Sequence, residues 1–124
     1  MKAYTYTLLL KPDPRTIEEY KAHHRAVWPE VLESMKRVGI LGNDIYLLGD
    51  RLVSILYTTD SFDPETALVE YARLDPKVGE WDRLMRTFQR PAPEAREGEW
   101  WAPMELVFHH ADPSLSLEPG RGRE

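Results

Sequence analysis

Apolar and polar positions first alternate through residues 3 to 10, where Tyr4, Tyr6, Leu8 and Leu10 recur at every second place, the period of a half-buried strand. Lys11-Pro12-Asp13-Pro14 ends it. From Thr16 the period lengthens to 3.6: Ile17, Tyr20, His24, Val27, Trp28, Val31, Met35 and Val38 share one stripe, opposed by Glu18, Lys21, Arg25, Glu33 and Lys36. That spacing predicts a long amphipathic helix with a kink or restart after Trp28, because Pro29 lacks a backbone donor and restricts the residue before it. Gly39 suits the position just past its end. Residues 43 to 48 and 51 to 59 are β-rich runs joined by Gly49-Asp50, the composition of a type II′ hairpin. Asp63-Pro64 and Asp75-Pro76 each set a capping side chain before a first-turn proline and predict helices over 64 to 74 and 76 to 89. In the second of these, Val78, Trp81, Leu84, Met85 and Phe88 form the core stripe. Residues 90 to 101 read as a Pro-rich charged loop, and 103 to 109 as a last strand with Met104, Leu106 and Phe108 on one face. The domain spans 1 to 111, and the polar tail 112 to 124 is expected to be flexible.

The order is β-α-β-β-α-β with the second α in two pieces, an α+β ferredoxin-like arrangement in which helices cover one face of a four-stranded antiparallel sheet. Both alternating sets of the third strand are apolar, Val53, Ile55 and Tyr57 against Leu52 and Leu56. The uncovered face therefore calls for a partner, most simply a second copy, giving a homodimer with its two sheets packed face to face.

Composition narrows the function. A chain of 124 residues, 42% hydrophobic and 30% charged, is one domain able to bury a core. Sixteen Lys and Arg against 21 Asp and Glu give a net charge of −5, which offers no broad basic surface to nucleic acid or to an anionic membrane. Zero Cys excludes disulfides, a thiolate nucleophile and Cys-based metal sites. The longest apolar run near the N-terminus is Leu8-Leu9-Leu10, too short for a signal peptide or a membrane span, so a cytoplasmic protein is expected.

Tyr20 and His24, four apart, are neighbours on the inward helix stripe, with Trp28 one turn further on. Imidazole titrates near neutrality and takes either proton role, and a phenol beside it can bond the same substrate oxygen. The spacing equally describes a satisfied buried pair. His23 lies at the stripe's edge, and His109 and His110 close the last strand on opposite faces. Neither His-His pair has the i,i+4 spacing of a zinc helix, so no metal is expected. The glycines make no phosphate-cradling fingerprint, and no nucleophile-elbow motif occurs, so neither a nucleotide cofactor nor covalent catalysis is expected. Four indoles, Trp28, Trp81, Trp100 and Trp101, suit the apolar face of a monosaccharide ring. Of Trp100 and Trp101 only one can line a pocket.

The run Glu18-Glu19-Tyr20-Lys21-Ala22-His23-His24-Arg25-Ala26-Val27-Trp28-Pro29-Glu30 resembles the E-E-Y-x-x-x-H-x-x-x-W-P-E signature of the L-rhamnose mutarotase family. The likeness continues through Gly39, Ile45-Tyr46-Leu47, Trp81 with Met85, and Glu105 to Phe108, covering residues 3 to 110. It implies a dimeric α/β barrel, cytoplasmic and cofactor-free, that interconverts the α and β anomers of a deoxy sugar, with L-rhamnose the first expectation. It makes His24 the general acid and Tyr20 a substrate contact, with Trp28, Asn43, Trp81 and Asp82 at the other binding positions. The base is then Tyr20, a water or a carboxylate such as Asp82. Where that family has a Trp-Trp pair and a sugar-contacting Tyr, this chain has Trp81-Asp82 and Asn43, which favours retained chemistry over retained specificity. Two other readings fit the architecture. A cofactor-independent monooxygenase of the dimeric α/β barrel type would consume oxygen, and a non-catalytic ligand-binding dimer module would show no saturable effect on a sugar.

Overall fold

Asp-Pro steps begin three of the four helices. In this computed structural model, which describes residues 1–120 and Gly122, the Asp13, Asp63 and Asp75 carboxylates accept from Arg15, Glu65 and Lys77 amides at 3.4, 3.2 and 2.8 Å. The proline after each stands where no helical donor is needed. The helices are α1 (Pro14–His24), α2 (Pro29–Arg37), α3 (Pro64–Leu74) and α4 (Pro76–Arg86). The long strands are β1 (Lys2–Leu10), β2 (Ile40–Leu48) and β3 (Arg51–Thr58), followed by two-residue strands β4 (Gln89–Arg90), β5 (Ala102–Pro103) and β6 (Glu118–Pro119). The sheet order is β2-β3-β1-β4, the ferredoxin-like order, with β5 and β6 also on β1.

Register fixes the two faces. Tyr4 pairs with Leu56, Leu8 with Leu52 and Ile45 with Ser54, and this set meets the helices. One core cluster joins Leu8, Leu10 and Leu52 to Tyr20, Val31, Trp81, Met85 and Phe88, and a second joins Tyr4, Ile40 and Leu56 to Phe62 and Ala67. The opposite face carries Val53, Ile55 and Tyr57, half-buried, beside Tyr46 and Leu48, 62% and 86% exposed. At the hairpin, Gly49 adopts φ +63°, and after α2 Gly39 adopts φ +94° while its carbonyl accepts from the Thr59 amide. A Cβ at Gly39 would stand 2.8 Å from the Thr59 hydroxyl, so the position excludes side chains on two counts.

Three expectations change. The expected restart after Trp28 occurs, with α2 beginning at Pro29, but α1 already stops at His24, so residues 25 to 28 lie outside both helices. The Pro29 ring holds Trp28 extended, at φ −61° and ψ 135°, and offers no amide to the Arg25 carbonyl. The expected helix to residue 89 ends at Arg86, and Gln89 enters the sheet beside Leu10. The last strand over 103 to 109 shrinks to Ala102–Pro103, which pairs with Thr7 and Tyr6. Continued in that register, residues 106 and 107 would face Ala3 and Lys2, but Glu118–Pro119 of the tail occupies that edge in parallel. Val107 and Phe108 are left 90% and 81% exposed, and His109 and His110 are exposed together rather than on opposite faces of a strand. The tail is thus held through Gly120, whose amide donates to the Ala3 carbonyl at 2.7 Å, while its expected looseness at 121, 123 and 124 lies outside the described residues.

Candidate active site

Between the helix layer and the sheet lies a cavity of about 610 Å³, within the roughly 300–1,000 Å³ typical of small-molecule sites. Helix α1 brings Tyr20 and His24 to one wall. The Tyr20 ring is 3% exposed, with its centroid 4.3 Å from that of His24 and 6.2 Å from that of Phe88. His24 Nδ1 sits 2.9 Å from the Tyr20 carbonyl oxygen. Since a carbonyl only accepts, Nδ1 carries the proton, and in the neutral ring Nε2 keeps its lone pair. Burial lowers the His24 pKa from 6.5, outweighing the opposite pull of that carbonyl, with His23 adding a smaller lowering. The imidazole therefore rests neutral at pH 7. Burial also pushes the Tyr20 phenol up to about 12, against the lowering effect of its bond from Gln89, so Tyr20 rests as a hydroxyl.

The other predicted residues divide. Trp81 presents its ring edge-on to His24 at 5.5 Å and lines the cavity, as does Asp82, whose Oδ2 pairs with Arg86 Nε at 3.3 Å. Asn43 lines it from β2. Its amide nitrogen donates to Ser54 Oγ at 2.9 Å and to the Ile55 carbonyl at 3.1 Å, which leaves its carbonyl oxygen for a ligand hydroxyl. Trp28 is not in the lining. Displaced by the break before Pro29, it packs behind Trp81 at 5.2 Å, with Lys77 Nζ 5.6 Å from its ring centroid. His23 likewise stacks on Phe88 outside the lining.

Sequence reasoning did not single out Tyr6, Ser54, Tyr71 and Gln89, which also line the cavity. Burial pushes the Tyr6 and Tyr71 phenols up to about 12, with smaller contributions from Tyr4 and from Asp82 respectively, so both are hydroxyls at neutrality. Of the adjacent indoles, Trp101 lines the cavity and Trp100 does not, as the pair's opposed directions require. Among the described residues no group of three or more His, Cys, Asp or Glu is placed to hold a metal ion, and no helix is long and apolar enough to cross a membrane.

Residues 3–110 match the family model described as L-rhamnose mutarotase. The chain belongs to the L-rhamnose mutarotase family. Activity in this family is of the isomerase type, the interconversion of sugar anomers. An L-fucose mutarotase of Xanthomonas campestris pv. campestris is 34% identical over 122 residues, covering 97% of this chain and 96% of its own. A UPF0734 protein of Dictyostelium discoideum is 44% identical over 110 residues, 86% of this chain and 88% of its own. The crystal structure of an L-rhamnose mutarotase from Formosa agariphila superposes with a TM-score of 0.65 over 90% of this chain and 100% of that one. At 18% identity that likeness speaks for the mutarotase fold alone.

Proposed function

We propose that this mutarotase-family protein interconverts the α and β anomers of a 6-deoxy-L-hexose by proton exchange between its own side chains and the sugar, without a cofactor. The observation that carries the reading is His24, neutral, with Nδ1–H held by a backbone carbonyl and Nε2 free beside the protonated Tyr20. Anomer exchange is redox-neutral. As the ring C1–O5 bond breaks, Nε2 takes the proton of the anomeric hydroxyl and the ring oxygen receives one from the Tyr20 phenol. After rotation about C1–C2 the two protons return, the O5–C1 bond re-forms and both residues are restored. His24 is then a base on opening and the acid only on closing, which refines the acid role that the resemblance implies.

The family model favours L-rhamnose. Likeness over nearly the whole chain to an L-fucose mutarotase favours L-fucose as the second reading. The two sugars differ in configuration at C2 and C4, so placed acceptors such as the Asn43 carbonyl and the Asp82 carboxylate have a hydroxyl position to discriminate. Saturation-transfer NMR at the anomeric protons, with both sugars in parallel, tests this. Accelerated exchange of one or both is expected, and acceleration of neither ends the mutarotase reading. The pH profile tests the proton roles. With its pKa lowered from 6.5, His24 is deprotonated at pH 7, so the enzymatic rate should hold level from about pH 8 through 6.5 and fall only at more acidic pH. A rate that rises as pH falls through this window would show that the imidazolium is the working form.

The same reading includes a homodimer packed through the sheet face away from the helices. Tyr46 and Leu48 on that face are 62% and 86% exposed beside Val53, Ile55 and Tyr57, an apolar surface of the kind that associates. Light scattering at micromolar concentration should give twice the chain mass. A mass of one chain, unchanged on dilution, would remove the dimer.

A further inference from the structure

Gln89 is a polar side chain 5% exposed, brought to the cavity wall by the pairing of β4 with Leu10. Both ends of its amide are used. The Trp100 indole Nε1 donates to Gln89 Oε1 at 2.8 Å, and Gln89 Nε2 donates to the Tyr20 hydroxyl oxygen at 3.3 Å. An indole N–H has no acceptor capacity, so only the amide oxygen can meet it, and this selects one of the two orientations the amide could take. In that orientation an NH2 group faces the phenol. The Tyr20 oxygen receives a bond there and its own proton is left for the cavity. In the reversed orientation the amide oxygen would face the phenol and draw that proton to itself. Trp100 is in turn held by the Arg86 guanidinium, 4.9 Å from its ring centroid.

We infer that Trp100 and Gln89 are positioning residues: the indole N–H fixes the Gln89 amide so that Tyr20 presents its hydroxyl to the substrate as a donor rather than as an acceptor. The consequence for catalysis rests on the mutarotase reading, whereas the orientation itself does not. A buried hydrogen-bonded chain of this kind, closed at one end by a group that can only donate, transmits direction without touching substrate.

Trp100→Phe removes the N–H and keeps a ring beneath Arg86. It should melt close to the parent yet lower kcat for anomer exchange on the order of 10-fold, the usual scale for one transition-state hydrogen bond, with a smaller change in KM. In a Tyr20→Phe background the same substitution should change nothing further, because no phenol proton remains to be aimed. An equal loss in both backgrounds, or no loss in either, would overturn the inference. Neutron diffraction gives a readout independent of activity. The parent should show the Tyr20 deuteron directed into the cavity, and Trp100→Phe should show it turned to Gln89 Oε1 with the amide reversed. A parent deuteron already bonded to Gln89 would also overturn it. If the parent accelerates no sugar, the mutarotase reading fails while the neutron result still decides the orientation.

Discussion

His24→Asn is expected to give a folded protein that exchanges anomers about 10²- to 10⁴-fold more slowly, the usual cost of losing a general acid or base. The substitution is chosen for what it keeps. An Asn amide at this position can still donate to the Tyr20 carbonyl, the bond that His24 Nδ1 makes at 2.9 Å, so the end of α1 retains its local pairing. What it lacks is a basic ring-nitrogen lone pair, the property assigned to Nε2. His23→Asn is the control, since His23 meets Phe88 at 5.5 Å and Trp81 at 6.3 Å without lining the cavity. Broadening of the anomeric signals of L-rhamnose and L-fucose, followed over several protein concentrations, reports the exchange rate directly. Should His24→Asn stay folded and exchange anomers as fast as the parent, His24 carries no proton. If His23→Asn falls as far as His24→Asn, the loss is structural rather than chemical.

Local chemistry made most of this fold legible. The Asp-Pro steps at 63 and 75 and the glycine at 49 are decided by backbone sterics within a few residues, and the helix starts and the hairpin turn fall where they place them. The same rule holds at Asp13-Pro14, which closes the segment after β1 and starts α1. Periodicity failed where it ran through a break. The apolar stripe kept phase across Pro29, so Trp28 read as a third member of the Tyr20 and His24 wall, whereas the chain leaves the helix after His24 and turns Trp28 onto the back of Trp81. The last strand failed because alternation shows only that a segment can pair, and the edge it needed is taken by Glu118–Pro119 from the far end of the chain. Asn43, Trp81 and Asp82 line the cavity. Gln89 and Tyr71 carry no local signal: they meet Tyr20 and Asp82 only through long-range pairing of β4 with β1 and packing of α3 on α4.

Trp81→Ala is expected to cost about 3–5 kcal/mol, the range for truncating a buried aromatic. Against a total stability of about 5–15 kcal/mol for a domain, such a loss leaves a marginal protein. The indole is 7% exposed and belongs to the larger core cluster. Trp28, His24 and His23 all meet its ring, at 5.2, 5.5 and 6.3 Å, so removing it opens a void that α1, α4 and the Trp28 turn share, and none of them can collapse into it without leaving the others. Thermal melts should show the midpoint falling by roughly 10 °C or more. Trp81→Phe separates packing from recognition, because a phenyl ring refills most of the space while offering a narrower face to a sugar. Its midpoint should recover most of the loss, and any rise in KM that remains then belongs to stacking on the substrate. A midpoint for Trp81→Ala within about 2 °C of the parent would show that the indole supports neither the core nor His24, since a change that small corresponds to less than about 1 kcal/mol.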